Sequence, residues 1–208
     1  MSGSDTYISG WKTASDWRAF ISHLTVGGDA ETWLDAFEQY FNTRLELRYL
    51  NPIRILRENG TFQGEGFAIL AIQCTLIEFL ESTFQGVKYR YLRRGESLGP
   101  HEYNSSRDVF VSFLCNREPF ANEFDEKLAT DFYIGVRCGL LHEARTKNGW
   151  RIWAESPNGK IIHVADRIVF RNNFQIGLET LISWYRRALQ MEPTLQEAFV
   201  RKFDDLCH

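Results

Sequence analysis

The 208-residue sequence predicts a mainly α-helical fold, a bundle of five to six helices that carries a small β-hairpin. Two observations favour this class. Apolar residues recur every three or four positions through most of the chain, which is the period of one helix face. Strand-like patterning occurs at one place, residues 150–154 and 160–164, on either side of Asn158-Gly159, a pair typical of hairpin turns. Helices and one hairpin indicate a bundle and not an α/β sheet.

The first half of the chain predicts three helices. Residues 15–24 form a short candidate helix, and Asp29 is placed as the N-cap of a second helix that ends before Pro52. Residues 65–85 are apolar almost all round, as in a helix at the middle of a bundle. Gly86 is the expected end of that helix.

The second half of the chain predicts the remaining helices of the bundle. Ser105 opens a short helix through a capping box. Asn122 is expected to cap a long helix that ends near residue 145, and a second long helix covers residues 172–190. Another capping box is expected to open the last helix, at residues 193–208.

The predicted organisation is a single helical domain over residues 1–208, a length that fits one domain. Residues 1–28 are interpreted as an N-terminal extension and residues 150–165 as a β-hairpin insertion. Residues 193–208 add a C-terminal helix. We expect these three segments to be additions to a central bundle.

Charge and composition exclude several classes of protein. The formal net charge is −3, which excludes a protein that coats nucleic acid by bulk electrostatics but leaves room for a local basic site. The first 24 residues contain no apolar leader, and the longest apolar run, residues 67–80, is interrupted by polar side chains. We therefore expect a cytoplasmic protein that spans no membrane.

Most of the familiar chemical motifs are missing from the sequence. It has no Walker loop, no dinucleotide-binding glycine fingerprint, no Gly-x-Ser-x-Gly elbow and no His-Glu-x-x-His helix. The four cysteines have neither metal nor redox spacing, and the five histidines are scattered. The expectation is a protein without metal or cofactor.

A basic and aromatic segment begins at Lys88, where Arg90, Arg93 and Arg94 alternate with tyrosines. Such a segment can stack bases while its arginines pair with phosphates, which makes these arginines candidate RNA-binding residues. The alternative is a solvated loop whose arginine stems cover apolar surface. Both interpretations stay open at the level of sequence.

Arg137 and His142 are the strongest candidates for chemistry. Histidine exchanges protons near neutral pH and can serve a ribose 2′-hydroxyl or a leaving 5′-oxygen. Arginine is always charged and can hold a phosphate through two parallel hydrogen bonds. The spacing alone does not discriminate, because three further Arg and His pairs have a similar one: Arg18/His23, Arg94/His101 and Arg201/His208.

The context of the pair distinguishes it from the other three. It lies late in a long amphipathic helix, beside Gly135 and Gly139, which share one face and permit close approach of another helix. Residues five apart on an α-helix point about 140° from each other. The pair can therefore act together if two copies of the helix meet in a two-fold dimer.

An alternative explains the same residues without catalysis. In it, Arg137 forms an ion pair with a carboxylate such as Asp131 or Glu143, and His142 caps the helix end. Both assignments are compatible with the sequence pattern.

Residues 131–145, DFYIGVRCGLLHEAR, resemble the signature helix of the HEPN superfamily (higher eukaryotes and prokaryotes nucleotide-binding domains). The resemblance implies a helical bundle, commonly dimeric, and for many members a metal-independent endoribonuclease in toxin–antitoxin or phage-defence systems. The family's motif, an arginine followed after four to six residues by a histidine, falls on Arg137 and His142. Active members often carry Asn or Asp directly after the arginine, where this sequence has Cys138.

Two hypotheses follow. The first is a homodimeric, metal-independent endoribonuclease that leaves a 2′,3′-cyclic phosphate, with RNA as substrate and a neutralising protein as a further partner. The second is a non-catalytic domain of the same type that binds RNA, a nucleotide or a protein, and Cys138 and the acidic net charge motivate it.

Overall fold

A computed structural model describes residues 5–61 and 63–207. The described residues are 60% helical, with seven helices and a few short strands, which confirms the mainly α class and the small hairpin. The chain divides into two compact units. Unit 1 comprises Met1–Asn51, Ser82–Asn104 and Trp184–His208, and unit 2 comprises Pro52–Glu81 and Ser105–Ser183.

The elements follow one another in chain order. The α-helical segments are α1 (Ala14–Ile21), α2 (Ala30–Ala36), α3 (Thr43–Leu45), α4 (Asn51–Glu58), α5 (Glu65–Gln85), α6 (Ser106–Asn116), α7 (Glu126–Phe132), α8 (Gly139–Glu143), α9 (Arg171–Ala188) and α10 (Pro193–Asp205). The π-helical stretches Phe37–Asn42 and Glu46–Leu50 join α2, α3 and α4 without a break, and the stretch Tyr133–Cys138 joins α7 to α8. The strands are β1 (Tyr7–Ser9), β2 (Lys12–Thr13), β3 (Lys88–Tyr89), β4 (Glu102–Tyr103), β5 (Arg151–Trp153), β6 (Ile162–His163) and β7 (Ile168–Phe170).

Unit 1 is built around an aromatic core. Trp17 of α1 is fully buried and lies 4.9 Å from the ring of Tyr40 and 5.4 Å from that of Phe203, centroid to centroid. Its Nε1 donates to Asp204 Oδ1 at 2.7 Å, which satisfies the one polar atom of the indole. Gly86 ends α5 as predicted, at φ +64, because a Cβ there would lie 2.5 Å from the Cα of Ala198.

Three predicted helix boundaries are wrong. The helix capped by Asp29 does not end before Pro52 but continues to Glu58. Proline has no backbone N–H to donate to the preceding turn. A π-helical stretch, in which the hydrogen bonds join residues five apart, lies directly before it. The cap of α7 is Asp125, which accepts from Leu128 N at 2.7 Å, and Asn122 lies in a 3₁₀ turn. The last helix has Glu192 at its N-cap position, without a side-chain capping bond.

Unit 2 also has an aromatic core. The ring of Phe132 stacks on Phe174 at 5.9 Å and meets the edge of Trp150 at 5.1 Å. The segment of α5 in this unit buries Ile69, Leu70 and further apolar residues against that core. Among the described residues, α5 is also long and apolar enough to cross a membrane, a longer run than predicted, but 61% of its most apolar window is buried inside the chain.

The small sheet of unit 2 differs from the predicted hairpin in its pairing. Strands β5 and β6 do not pair with each other, because both pair with β7 in the order β5-β7-β6. β5 runs parallel to β7, and β6 with β7 forms the antiparallel hairpin. All three residues of β7 are buried, and they directly precede α9. A buried apolar strand is as apolar as the start of a core helix, so periodicity could not separate them.

Candidate functional site

Arg137 lies in the π-helical stretch Tyr133–Cys138 of unit 2, and its side chain is 18% exposed. Its Nη2 lies 3.8 Å from Glu78 Oε2 of α5. On another side, the guanidinium carbon lies 5.3 Å from the ring centroid of Tyr133, within the range of a cation–π contact. Ser106 Oγ donates to Glu78 Oε1 at 2.7 Å. The guanidinium therefore lies close to a hydrogen-bonded carboxylate and to an aromatic ring.

The two carboxylates predicted as partners of Arg137 are engaged elsewhere. Asp131 accepts from Asn148 and Trp150 and pairs with Arg167 at 3.2 Å. Glu143 pairs with Arg145 and Lys147. The prediction of a carboxylate partner is confirmed, but the two partners suggested were wrong.

His142 lies in the last turn of the same helix and is exposed. Within residues 5–61 and 63–207, no hydrogen bond or ion pair joins it to Arg137 or fixes it at the helix end. Ile134, Cys138 and Leu141 of the same helix form an apolar stripe. Ile134 is 46% exposed, Leu141 is 43% exposed and Cys138 is half-buried. One helix thus carries both residues together with a partly exposed apolar stripe.

Gly135 and Gly139 are buried against their own chain. A Cβ at position 135 would lie 2.7 Å from Trp150 Cδ1, and one at position 139 would collide with the carbonyl oxygen of Arg145. Lys147 N donates to Gly135 O at 2.7 Å, so residues 145–150 fold back along this face. The close approach predicted for the glycines is therefore made inside the chain, and the exposed stripe lies on a different face.

Burial and charge set the protonation of the groups around Arg137. Burial raises the pKa of the Tyr133 hydroxyl, and the positive charge of Arg137 opposes that shift. Burial also raises the pKa of the Cys74 thiol, on which Arg137 again has the opposite effect. Cys74 is thus a neutral, buried thiol beside the site, consistent with a small hydrophobic residue.

The basic and aromatic segment belongs to unit 1, and Arg137 belongs to unit 2. Arg90 Nη1 donates to Glu102 Oε2 at 2.9 Å, and its Nη2 lies 3.6 Å from Glu96 Oε2. The Gly99 backbone N–H and then Arg90 lower the pKa of Glu102. Arg93 and Arg94 are exposed. The three arginines predicted to act alike therefore separate into one paired residue and two open ones.

Glu78, Tyr133 and Ser106 surround Arg137, and none of them was singled out from the sequence. Glu78 did carry a signal, because it is an ionisable residue in a helix that is otherwise apolar almost all round. Among the described residues, no group of three or more His, Cys, Asp and Glu side chains is placed to hold a metal ion. No family model, no curated protein and no solved structure matches the chain.

Proposed function

We propose that this chain is a metal-independent endoribonuclease of the HEPN type, working in a toxin or phage-defence setting. The observation that carries the proposal is a guanidinium in contact with Glu78 and Tyr133, five residues before an exposed histidine on the same helix. Arg137 and His142 are the residues to which the signature helix of that family assigns the chemistry. A positioned cation and an exposed imidazole on one helix suit a reaction that needs a phosphate clamp and a proton carrier.

In the proposed reaction, the ribose 2′-oxygen forms a bond to phosphorus and the bond from phosphorus to the 5′-oxygen breaks. His142 takes the proton of the 2′-hydroxyl, and the leaving 5′-oxygen receives a proton from a second imidazole or from water. Arg137 binds the phosphate oxygens as negative charge builds on them. The products are a 2′,3′-cyclic phosphate and a 5′-hydroxyl, and no metal ion takes part.

The proposed enzyme is a homodimer that meets through the exposed stripe of Ile134, Cys138 and Leu141. The stripe contains two side chains of more than 40% exposure, Ile134 and Leu141. A two-fold contact along the stripe buries these apolar side chains and brings both copies of Arg137 and His142 to one region. The face of Gly135 and Gly139 stays covered by residues 145–150.

The cleavage test uses mixed RNAs in EDTA. We expect the wild-type protein to cleave them and His142→Ala to lose cleavage. His163→Ala is the matched control, because His163 is also an exposed histidine of unit 2, paired with Asp166. Equal cleavage by wild type and His142→Ala, or no cleavage by either, contradicts the proposal.

The dimer is tested by light scattering at micromolar concentration. Leu141→Glu places a charge in the stripe and is expected to yield monomers. Ile176→Glu is the control, since Ile176 is an exposed apolar residue of α9 in the same unit, at 58% exposure. A monomeric wild-type protein, or dissociation by Ile176→Glu alone, contradicts the proposed interface.

The second candidate function is RNA binding without turnover. In this function too, a neutralising protein partner binds the domain. This function is favoured by Cys138 after the arginine and by the carboxylate of Glu78 beside the guanidinium, which offsets part of its charge. Two results together would favour this second function. The protein binds RNA in EDTA without cleaving it, and the binding weakens when Arg93 and Arg94 are changed to Glu.

A further inference from the structure

A small cleft of unit 2 opens at the first turn of α5, remote in sequence from the Arg137 helix. Its volume is about 130 Å³. The lining consists of two glycines, three apolar side chains and one buried ion pair. These residues are Gly64, Gly66, Phe67, Ile152, Ala154, Glu65 and Arg171. This volume has room for a small polar group.

Arg171 is the unusual member of this lining, because its side chain is only 7% exposed. Its Nη2 lies 3.4 Å from Glu65 Oε1, a long contact. Within the described part of the chain, its Nη1 is buried and has no hydrogen-bond partner. A buried guanidinium N–H without an acceptor is costly, so this donor capacity calls for an anion.

A hydrogen bond to the backbone of Arg171 fixes its position. Gln73 Nε2 donates to the Arg171 carbonyl at 2.9 Å and to Gln175 Oε1 at 3.0 Å, and Gln73 itself is fully buried. Gln175 Nε2 in turn donates to Glu179 Oε1 at 2.9 Å. This network holds the first residue of α9 without using its guanidinium, and Arg171 lines the cleft beside Glu65.

The first turn of α5 supplies the second half of an anion site. α5 has 21 residues, and the N-terminus of a long helix presents backbone N–H groups and partial positive charge. Gly64 has φ +138, a backbone conformation that residues with a side chain rarely adopt. A Cβ at this position would have no described atom within 4 Å. Gly66 lies against Arg171, since its Cβ would be 3.5 Å from Arg171 Cδ. The missing side chains keep the helix end open.

We propose that this cleft binds one phosphate group, as inorganic phosphate or as the terminal phosphate of a nucleotide or an RNA strand. The phosphate oxygens accept from the Arg171 guanidinium and from the Gly66 N–H in the first turn of α5, since the Phe67 N–H already donates to Gly64 O. Glu65 lies beside Arg171 and moves aside when the phosphate enters. The site is independent of Arg137 and His142, so it stands whether or not the chain cleaves RNA.

Calorimetric titration of the full chain with inorganic phosphate tests the site. Two variants are compared with the wild type, one expected to weaken phosphate binding and one expected to tighten it. Gly66→Ala narrows the cleft at an ordinary contact distance and is expected to weaken binding about tenfold, while the better helix propensity keeps or raises the unfolding temperature. Glu65→Gln removes the competing charge and is expected to tighten binding several-fold. Arg107→Gln, an exposed arginine of the same unit, is the control and leaves binding unchanged.

The source of the phosphate is resolved by further titrations with a nucleoside 5′-monophosphate and with a short RNA that carries either a 5′-phosphate or a 5′-hydroxyl. If the RNA with a 5′-phosphate binds more tightly than free phosphate, the site recognises the ends of RNA strands. If free phosphate binds with the same affinity as the phosphorylated RNA, the site recognises the phosphate ion itself. No binding by any of the phosphates, or the same affinity in wild type and Gly66→Ala, overturns the proposal. The EDTA cleavage assay, run on the same variants, reports separately on the proposed enzyme.

Discussion

Arg137 and Arg90 are both predicted from sequence to meet RNA phosphates, but their surroundings differ. Arg137 is 18% exposed and has one carboxylate at 3.8 Å. Arg90 is 40% exposed and has two carboxylates, Glu102 at 2.9 Å and Glu96 at 3.6 Å. The more exposed arginine is the one whose charge is already matched. Exposure alone therefore does not tell which arginine keeps an unmatched charge, and the carboxylates around each arginine have to be considered.

The largest expected effect separates these two arginines by activity. Arg137→Gln and His142→Ala are each expected to lower the cleavage rate in EDTA by about 10²–10⁴-fold, the usual contribution of a positioned catalytic group. Arg90→Gln is expected to leave the rate within about twofold, because its charge is matched by Glu102 and Glu96. A loss in Arg90→Gln as large as that in Arg137→Gln would remove the distinction.

A second prediction concerns the helix that carries Arg137. Gly139→Ala places a methyl group against the carbonyl oxygen of Arg145 and is expected to lower the free energy of unfolding by about 2 kcal/mol, the cost of overpacking. Gly66→Ala, whose Cβ meets only ordinary contacts, is expected to raise it by up to about 1 kcal/mol. Urea unfolding of both variants measures the difference. Equal stability in the two would show that residues 145–150 do not press on the helix.

A third, smaller effect concerns the open arginines beside Arg90. Changing Arg93 and Arg94 to Gln is expected to weaken RNA binding a few-fold and to flatten its dependence on salt, because two phosphate contacts are lost. Arg90→Gln is expected to change both quantities less. Fluorescence anisotropy at several salt concentrations measures them, and a larger effect from Arg90→Gln would reverse the ranking.

The smallest effect is a pH dependence. Because the folded protein lowers the pKa of Glu102, its carboxylate stays charged where an ordinary glutamate begins to take a proton. The pairing with Arg90 is therefore complete above the ordinary glutamate pKa and is lost only as pH falls through the lowered value. An NMR titration of the Glu102 carboxyl measures this, and a midpoint in the usual glutamate range would contradict the pairing.

Much of the fold could be predicted because its signals are local. The caps at Asp29 and Ser105 and the end at Gly86 need only neighbouring residues, and all three are present in the structure. The pairing of β7 could not be predicted, since its partners are distant strands and its three apolar residues run into a helix. The passage of a helix through Pro52 depends on π-helical turns, for which no sequence signal was available.

The candidate site was predictable only in part, for a related reason. Arg137 and His142 lie on one helix, so a pattern within one segment finds them. Glu78 comes from another helix, and only tertiary packing brings it to the guanidinium. Arg171 was missed because a single arginine at the start of a helix has no pattern, and its importance appears only with its burial and its unpartnered N–H.

The central claim is that Arg137 and His142 cut RNA through its own 2′-hydroxyl without metal. The most direct measurement compares one labelled RNA with the same RNA carrying a single 2′-deoxynucleotide at the position of cleavage, both in EDTA. The proposal expects cleavage of the first to a 2′,3′-cyclic phosphate and no cleavage of the second at that position. Cleavage at the deoxynucleotide, or no cleavage of either strand, would contradict it.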